Sequence, residues 1–138
     1  MKIREIQKLL GADVLCGDEH LDNDVYSACC SDMMSDVLAF VKDQGVLITG
    51  LSNSQVIRTA NMMDMVCIVF VRSKTPTDEM IALADECGIT VMRSTLRAYE
   101  ACGSYQLYIE EMIPDGVGEL YIAYEQFCLL YTSDAADD

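Results

Sequence analysis

The first third of the chain alternates between helical and extended patterns of apolar residues. Residues 2–10 carry apolar side chains three or four positions apart, which predicts an amphipathic helix, and Gly11 follows it where a helix end favours glycine. The apolar segments 12–17 and 25–30 predict two short strands, separated by a polar turn. The run "SDMMSD" then predicts the start of a second helix, with Ser31 or Asp32 supplying the N-cap oxygen.

Three units of one kind make up the middle of the chain. Each opens with a short, uninterrupted apolar run rich in Val and Ile, at 45–49, 65–71 and 89–92, and each continues with helical spacing. Uninterrupted apolar runs are typical of strands covered on both faces, as in parallel sheets. The sequence "TPTD" predicts a helix start with Thr75 as N-cap and Pro76 at the first helical position. The alternation predicts a single α/β domain: a mostly parallel, doubly wound sheet with helices on both faces.

Composition and charge narrow the classes of partner. The 138 residues are 51% hydrophobic, enough for a substantial core, and the formal net charge is −14. A field of that sign repels phosphate backbones and anionic lipids, so we expect neither nucleic acid nor membrane as a partner. Apolar runs stay far below the roughly 20 residues that span a bilayer, and the N-terminus lacks the apolar stretch of a signal peptide. We therefore expect a cytoplasmic protein.

The motifs that would carry catalysis or a metal fail on inspection. Adjacent Cys29 and Cys30 point to opposite faces of a strand, and the chain has one His and no Cys-x-x-Cys pair, so we expect no metal site. "GVLITGLS" at 45–52 resembles a P-loop but lacks its lysine, and its glycines enclose a strand. The acidic turn at 18–24 lacks the glycine and glutamate of a calcium-binding EF-hand loop. We expect no cofactor and no enzymatic activity.

The last part of the chain follows a different pattern from the units before it. Residues 110–127 contain a Pro-Asp-Gly turn before "ELYIAY", which favours an added hairpin or the start of a second, truncated domain. Residues 128–138, "CLLYTSDAADD", resemble a translated sequencing adapter, and we expect them not to be native. On that expectation the natural chain continues beyond Phe127 with a different sequence.

The order of these segments resembles a known family. Across roughly residues 1–109, and most clearly in "SDMMSDVLAF" and "ITVMRSTLRAYE", the chain resembles the DRTGG domain, especially the short standalone bacterial proteins of that type. This domain also occurs in some phosphotransacetylases and nucleotide-regulated pyrophosphatases, and it is related to the non-catalytic N-terminal domain of HPr kinase/phosphorylase. The resemblance implies a regulatory, dimer-forming module. The places of the family's Asp-Arg and Thr-Gly-Gly hold Ser52-Asn53 and Val71-Arg72-Ser73 here.

A ligand site is predicted where the parallel strands end. In open α/β sheets ligands collect beyond the carboxyl ends of the strands, near helix N-termini. Small polar residues and three of the chain's nine basic side chains fall there, which suits a small anion such as an adenine nucleotide. The predicted site consists of Ser31, Asp32, Ser52, Asn53, Arg72, Ser73, Lys74, Arg93, Ser94 and Thr95.

Three functions follow, in order of preference. The first is a non-catalytic regulatory module that forms a homodimer and senses a small anionic ligand. The second is a structural domain that docks a protein partner and binds no ligand. The third, an enzyme, has the least support because the sequence offers no acid–base or nucleophilic pair at a usable spacing.

Overall fold

The computed structural model describes residues 1–40 and 45–104, so the assignments at 110–127 and 128–138 lie outside the described part. The helices are α1 (Ile3–Leu10), α2 (Met34–Phe40), α3 (Ser54–Met62) and α4 (Asp78–Glu86), and residues 98–104 are also helical. The strands are β1 (Asp13–Cys16), β2 (Ser27–Cys30), β3 (Gly45–Thr49), β4 (Cys67–Phe70) and β5 (Thr90–Arg93). A 3₁₀ turn at Asp18–His20 occupies the predicted polar turn.

The strands form one five-stranded sheet in the order β1-β5-β4-β3-β2. Neighbouring strands from β2 to β5 are parallel, and β1 closes one edge antiparallel to β5. The predicted mostly parallel α/β fold is therefore confirmed. Each strand from β3 to β5 lies beside the one before it, and α2, α3 and α4 contact one another in turn. The carboxyl ends of the four parallel strands consequently meet along one edge of the sheet.

The core extends over both faces of the central strands. Every residue of β3 and β4 is buried, and successive side chains of a strand point to opposite faces, so both faces are covered. The helix α1 contributes Ile3, Ile6 and Leu10 to the same buried cluster, as the spacing of its apolar residues predicted. This packing fixes the strand ends, and with them the loops that carry polar residues.

The structure corrects two predicted helix starts, those of α4 and α2. Thr77, not Thr75, caps α4: its side chain accepts a hydrogen bond from the Met80 N–H, and the helix begins at Asp78. The helix α2 begins at Met34 and its first backbone hydrogen bonds go to the Met33 carbonyl, so neither Ser31 nor Asp32 is its N-cap residue. Ser31 Oγ instead accepts from the Met33 N–H at 2.9 Å, while the Asp32 carboxylate turns away toward β3. Thr75 and Thr77 flank Pro76 and carry the same hydroxyl, but Thr77 is the one that accepts the helical N–H.

Two glycines follow helices in the left-handed conformation, the first of them at the position that the sequence predicted. Gly11 follows α1 with a φ of +56°, and Gly88 follows α4 with a φ of +72°, both in the left-handed region that glycine adopts readily.

Among the described residues, no helix has the length and apolar character needed to cross a membrane.

Candidate ligand site at the carboxyl edge of the sheet

The loops after β2, β3 and β4 converge on the side chain of Asp32. Its Oδ1 accepts hydrogen bonds from the Gly50 N–H at 2.7 Å and from Thr49 Oγ1 at 3.0 Å. Its Oδ2 lies 3.7 Å from Nη2 of Arg72, and both side chains are mostly buried. Of the ten predicted site residues, Asp32 and Arg72 are thus brought together, joining the ends of three adjacent strands.

Gly50 allows Arg72 to lie against the end of β3. A Cβ atom placed on Gly50 would collide with the guanidinium group, so a larger residue at this position would require the Arg72 side chain to move. The backbone of Arg72 and Ser73 is left-handed, with φ of +58° and +57°. The N–H of Arg72 donates to the Leu96 carbonyl at 2.7 Å, and that of Ser73 to the Ser94 carbonyl at 3.0 Å. The loop after β4 is therefore tied to the loop after β5.

A groove of about 410 Å³ lies between the N-termini of α3 and α4. Two predicted site residues line it: Ser52, and Asn53, whose side chain caps α3 by accepting from the Val56 N–H. Ser52 Oγ also lies 3.5 Å from the Thr75 carbonyl, which links the loops that precede the two helices. The other lining residues are Ser54, Arg58, Thr77, Glu79, Met80 and Leu83.

The remaining predicted residues lie elsewhere along the same edge. Arg93 donates to Thr75 Oγ1 at 3.1 Å and pairs with Asp13 on the edge strand β1. Ser94 is buried and donates to the Leu10 carbonyl at 2.8 Å, which ties α1 to the end of β5. Lys74 and Thr95 are exposed. None of these residues lines the groove described above.

The sequence prediction missed Arg58, which supplies a cationic side chain to the groove. Arg58 lies one turn after Ser54 on α3, so the two share a helix face. That spacing is visible in the sequence, but only the position of α4 shows which face of α3 borders a groove.

The cysteines behave as part of the core. All six in the described part are free, and four of them are buried. Burial raises the pKa of the Cys29 and Cys67 thiols well above the ordinary value for cysteine, which keeps them protonated and poor as nucleophiles or metal ligands. No group of three or more metal-binding side chains is found among residues 1–40 and 45–104.

Comparison with known proteins gives a family match that covers most of the chain. The family model described as the DRTGG domain matches residues 5–106. A solved structure with a similar fold is that of the CBS and DRTGG domains of the regulatory region of Clostridium perfringens pyrophosphatase, complexed with its activator diadenosine tetraphosphate. The TM-score is 0.60 at 18% identity, over 72% of this chain and 44% of that chain. At that identity the likeness shows the fold alone.

Curated relatives match over a much shorter stretch. The large subunit of exodeoxyribonuclease 7 from Bacillus cereus strain B4264 is 51% identical over 47 residues, and that from Bacillus thuringiensis strain Al Hakam is 49% identical over the same length. The match spans 33% of this chain and only 10% of each nuclease subunit. So short a match leaves nine tenths of the nuclease subunit without a counterpart in this chain.

Proposed function

Because the chain belongs to the DRTGG domain family, we propose that it is a non-catalytic regulatory module that binds an adenine nucleotide in the groove between α3 and α4. The observation that carries this proposal is the groove itself. Its volume of about 410 Å³ falls within the range of roughly 300–1,000 Å³ that is typical of small-molecule sites.

The lining of the groove suits each part of a nucleotide. Met80 and Leu83 offer an apolar surface for a base, and the Glu79 carboxylate accepts hydrogen bonds from an exocyclic amino group. The guanidinium of Arg58 pairs with a phosphate. The groove also lies at the N-terminal ends of two helix dipoles, which favour negative charge.

The structural neighbour indicates which ligands to test first. The regulatory region of the Clostridium perfringens pyrophosphatase binds diadenosine tetraphosphate as an activator. For this chain we therefore place adenine mononucleotides and diadenosine polyphosphates ahead of other small anions.

Isothermal titration calorimetry with AMP, ATP and diadenosine tetraphosphate tests the proposal. We expect binding, and we expect Arg58→Ala to weaken it by about tenfold or more, since a hydrogen bond to a charged group contributes about 1.5–3 kcal/mol. The matched control is Arg4→Ala, which removes the same charge from α1, in an exposed ion pair with Asp22. Absence of heat at millimolar nucleotide, or equal weakening by both variants, would contradict the proposal.

The proposal has two further parts: the module forms a homodimer, and it has no catalytic activity. The module acts through a homodimer rather than through catalysis, so the purified protein is expected to sediment as a dimer and to leave ATP unhydrolysed.

Docking of a protein partner without a ligand is the second candidate function. Tyr26, Met62 and Tyr99, each more than 60% exposed, are large apolar side chains that such a partner would cover.

A further inference from the structure

The contacts of Asp32 are those of an anion held by the protein. Its carboxylate receives a backbone N–H from Gly50, a hydroxyl from Thr49 and the positive charge of Arg72. Proteins use the same set of donors, a backbone amide, a hydroxyl and a guanidinium, to bind phosphate and other oxyanions.

The three donors lie at the carboxyl ends of β3 and β4, whereas Asp32 lies in the loop after β2. Thr49 is the last residue of β3 and Gly50 follows it, while Arg72 lies two residues after the neighbouring strand β4. The absence of a side chain at Gly50 makes room for the guanidinium, while the two hydrogen bonds of the 72–73 backbone to the loop after β5 hold Arg72 in place. The donors are therefore positioned by strand pairing, whereas Asp32 enters from the loop after β2.

We propose that Thr49, Gly50 and Arg72 form a binding site for a small oxyanion, and that the Asp32 carboxylate fills this site in the free protein. About a fifth of the Asp32 side chain and a quarter of that of Arg72 are exposed. A phosphate group can therefore approach Arg72 from solvent and take the position of the carboxylate when Asp32 rotates away. Asp32 acts as an internal competitor that sets the affinity of this site.

This site is distinct from the nucleotide groove in its residues, and its test does not depend on that groove binding a nucleotide. None of Asp32, Thr49, Gly50 and Arg72 lines the groove. Inorganic phosphate is consequently a suitable probe, since it reports on the oxyanion site without requiring a base or a ribose.

The experiment removes the competing carboxylate. In Asp32→Ala we expect inorganic phosphate to bind with an apparent Kd at least tenfold lower than in the wild type, followed by the NMR shift of the Gly50 amide. Asp36→Ala, on α2, is the control because it changes the net charge equally while leaving the Asp32 contacts in place. A Gly50 amide in Asp32→Ala that responds to phosphate no more than in Asp36→Ala would overturn the proposal.

A second substitution separates the site from general loss of charge. Adding Arg72→Ala to Asp32→Ala is expected to abolish the gain in phosphate affinity, and a gain that survives would contradict the role of Arg72. If Asp32→Ala does not fold, Asp32→Asn replaces it, because the amide oxygen still accepts from Gly50 while the negative charge is gone. Phosphate affinity in Asp32→Asn equal to that of the wild type would then overturn the proposal.

Discussion

At the scale of single residues, the most unusual feature is a pair of left-handed residues that are not glycine. Arg72 and Ser73 have φ of +58° and +57°, a conformation that costs an L-residue roughly 1–2 kcal/mol. The resemblance in sequence places the Gly-Gly of the DRTGG motif at these two positions. The chain therefore keeps a backbone that glycine adopts readily, while it gains the guanidinium that meets Asp32.

Replacing Ser73 with glycine tests this strain. Ser73 is exposed, so Ser73→Gly relieves the backbone without removing buried contacts, and we expect the free energy of unfolding to rise by about 1 kcal/mol. The same substitution at exposed Ser35, inside α2, should lower it by about 0.5 kcal/mol because glycine disfavours helix. Urea denaturation of the two variants measures both changes. A free energy of unfolding that falls in Ser73→Gly, as it is expected to do in Ser35→Gly, would show that the left-handed backbone at residue 73 is not strained.

At the scale of elements, the strands were predictable and the helix ends were less so. The uninterrupted apolar runs located β3, β4 and β5 because burial on both faces leaves few polar positions in a strand. The start of α4 was placed two residues early, since Thr75 and Thr77 are chemically equivalent caps in the sequence. Only the fold shows that Thr75 Oγ1 instead accepts a hydrogen bond from Arg93.

The corrected cap leads to a paired prediction. Thr77→Ala removes the side-chain oxygen that accepts the Met80 N–H, so we expect a loss of about 1 kcal/mol in the free energy of unfolding. Thr75→Ala, the control, removes only exposed contacts and should change it by less than about 0.5 kcal/mol. Chemical denaturation distinguishes the two, and a larger loss in Thr75→Ala would restore the cap predicted from the sequence.

The candidate site was less predictable than the strands for a related reason. A parallel sheet brings the carboxyl ends of its strands together, which was enough to predict that Asp32, Ser52, Asn53 and Arg72 follow neighbouring strand ends. The pairing of Asp32 with Arg72 and the groove between α3 and α4 depend on side-chain packing between elements far apart in sequence. Arg58 was missed because nothing in the local pattern of α3 marks the side that faces α4.

At the scale of the whole molecule, like charges outweigh ion pairs. The chain has 23 acidic residues and 9 Lys or Arg, a formal net charge of −14. Three of the ion pairs in the described part, Lys2–Asp24, Arg4–Asp22 and Arg93–Asp13, have partners that are 36–74% exposed. Exposed pairs contribute only about 0–1 kcal/mol each. We therefore expect repulsion among the acids to dominate the electrostatic free energy of the folded chain.

Screening should consequently stabilise this protein. Raising NaCl from about 0.05 to 0.5 M shortens the Debye length from about 14 Å to about 4 Å, which weakens repulsion between acids spread over the surface. The exposed ion pairs weaken as well, but they contribute less than the repulsion that is relieved. We expect the melting temperature to rise with NaCl at pH 7, measured by circular dichroism. The Lys2→Ala variant provides the control: it loses a cation and the Asp24 ion pair, so its melting temperature should rise with salt at least as steeply. A melting temperature that falls with salt would mean that attractive pairs, rather than net charge, govern the electrostatic contribution to stability.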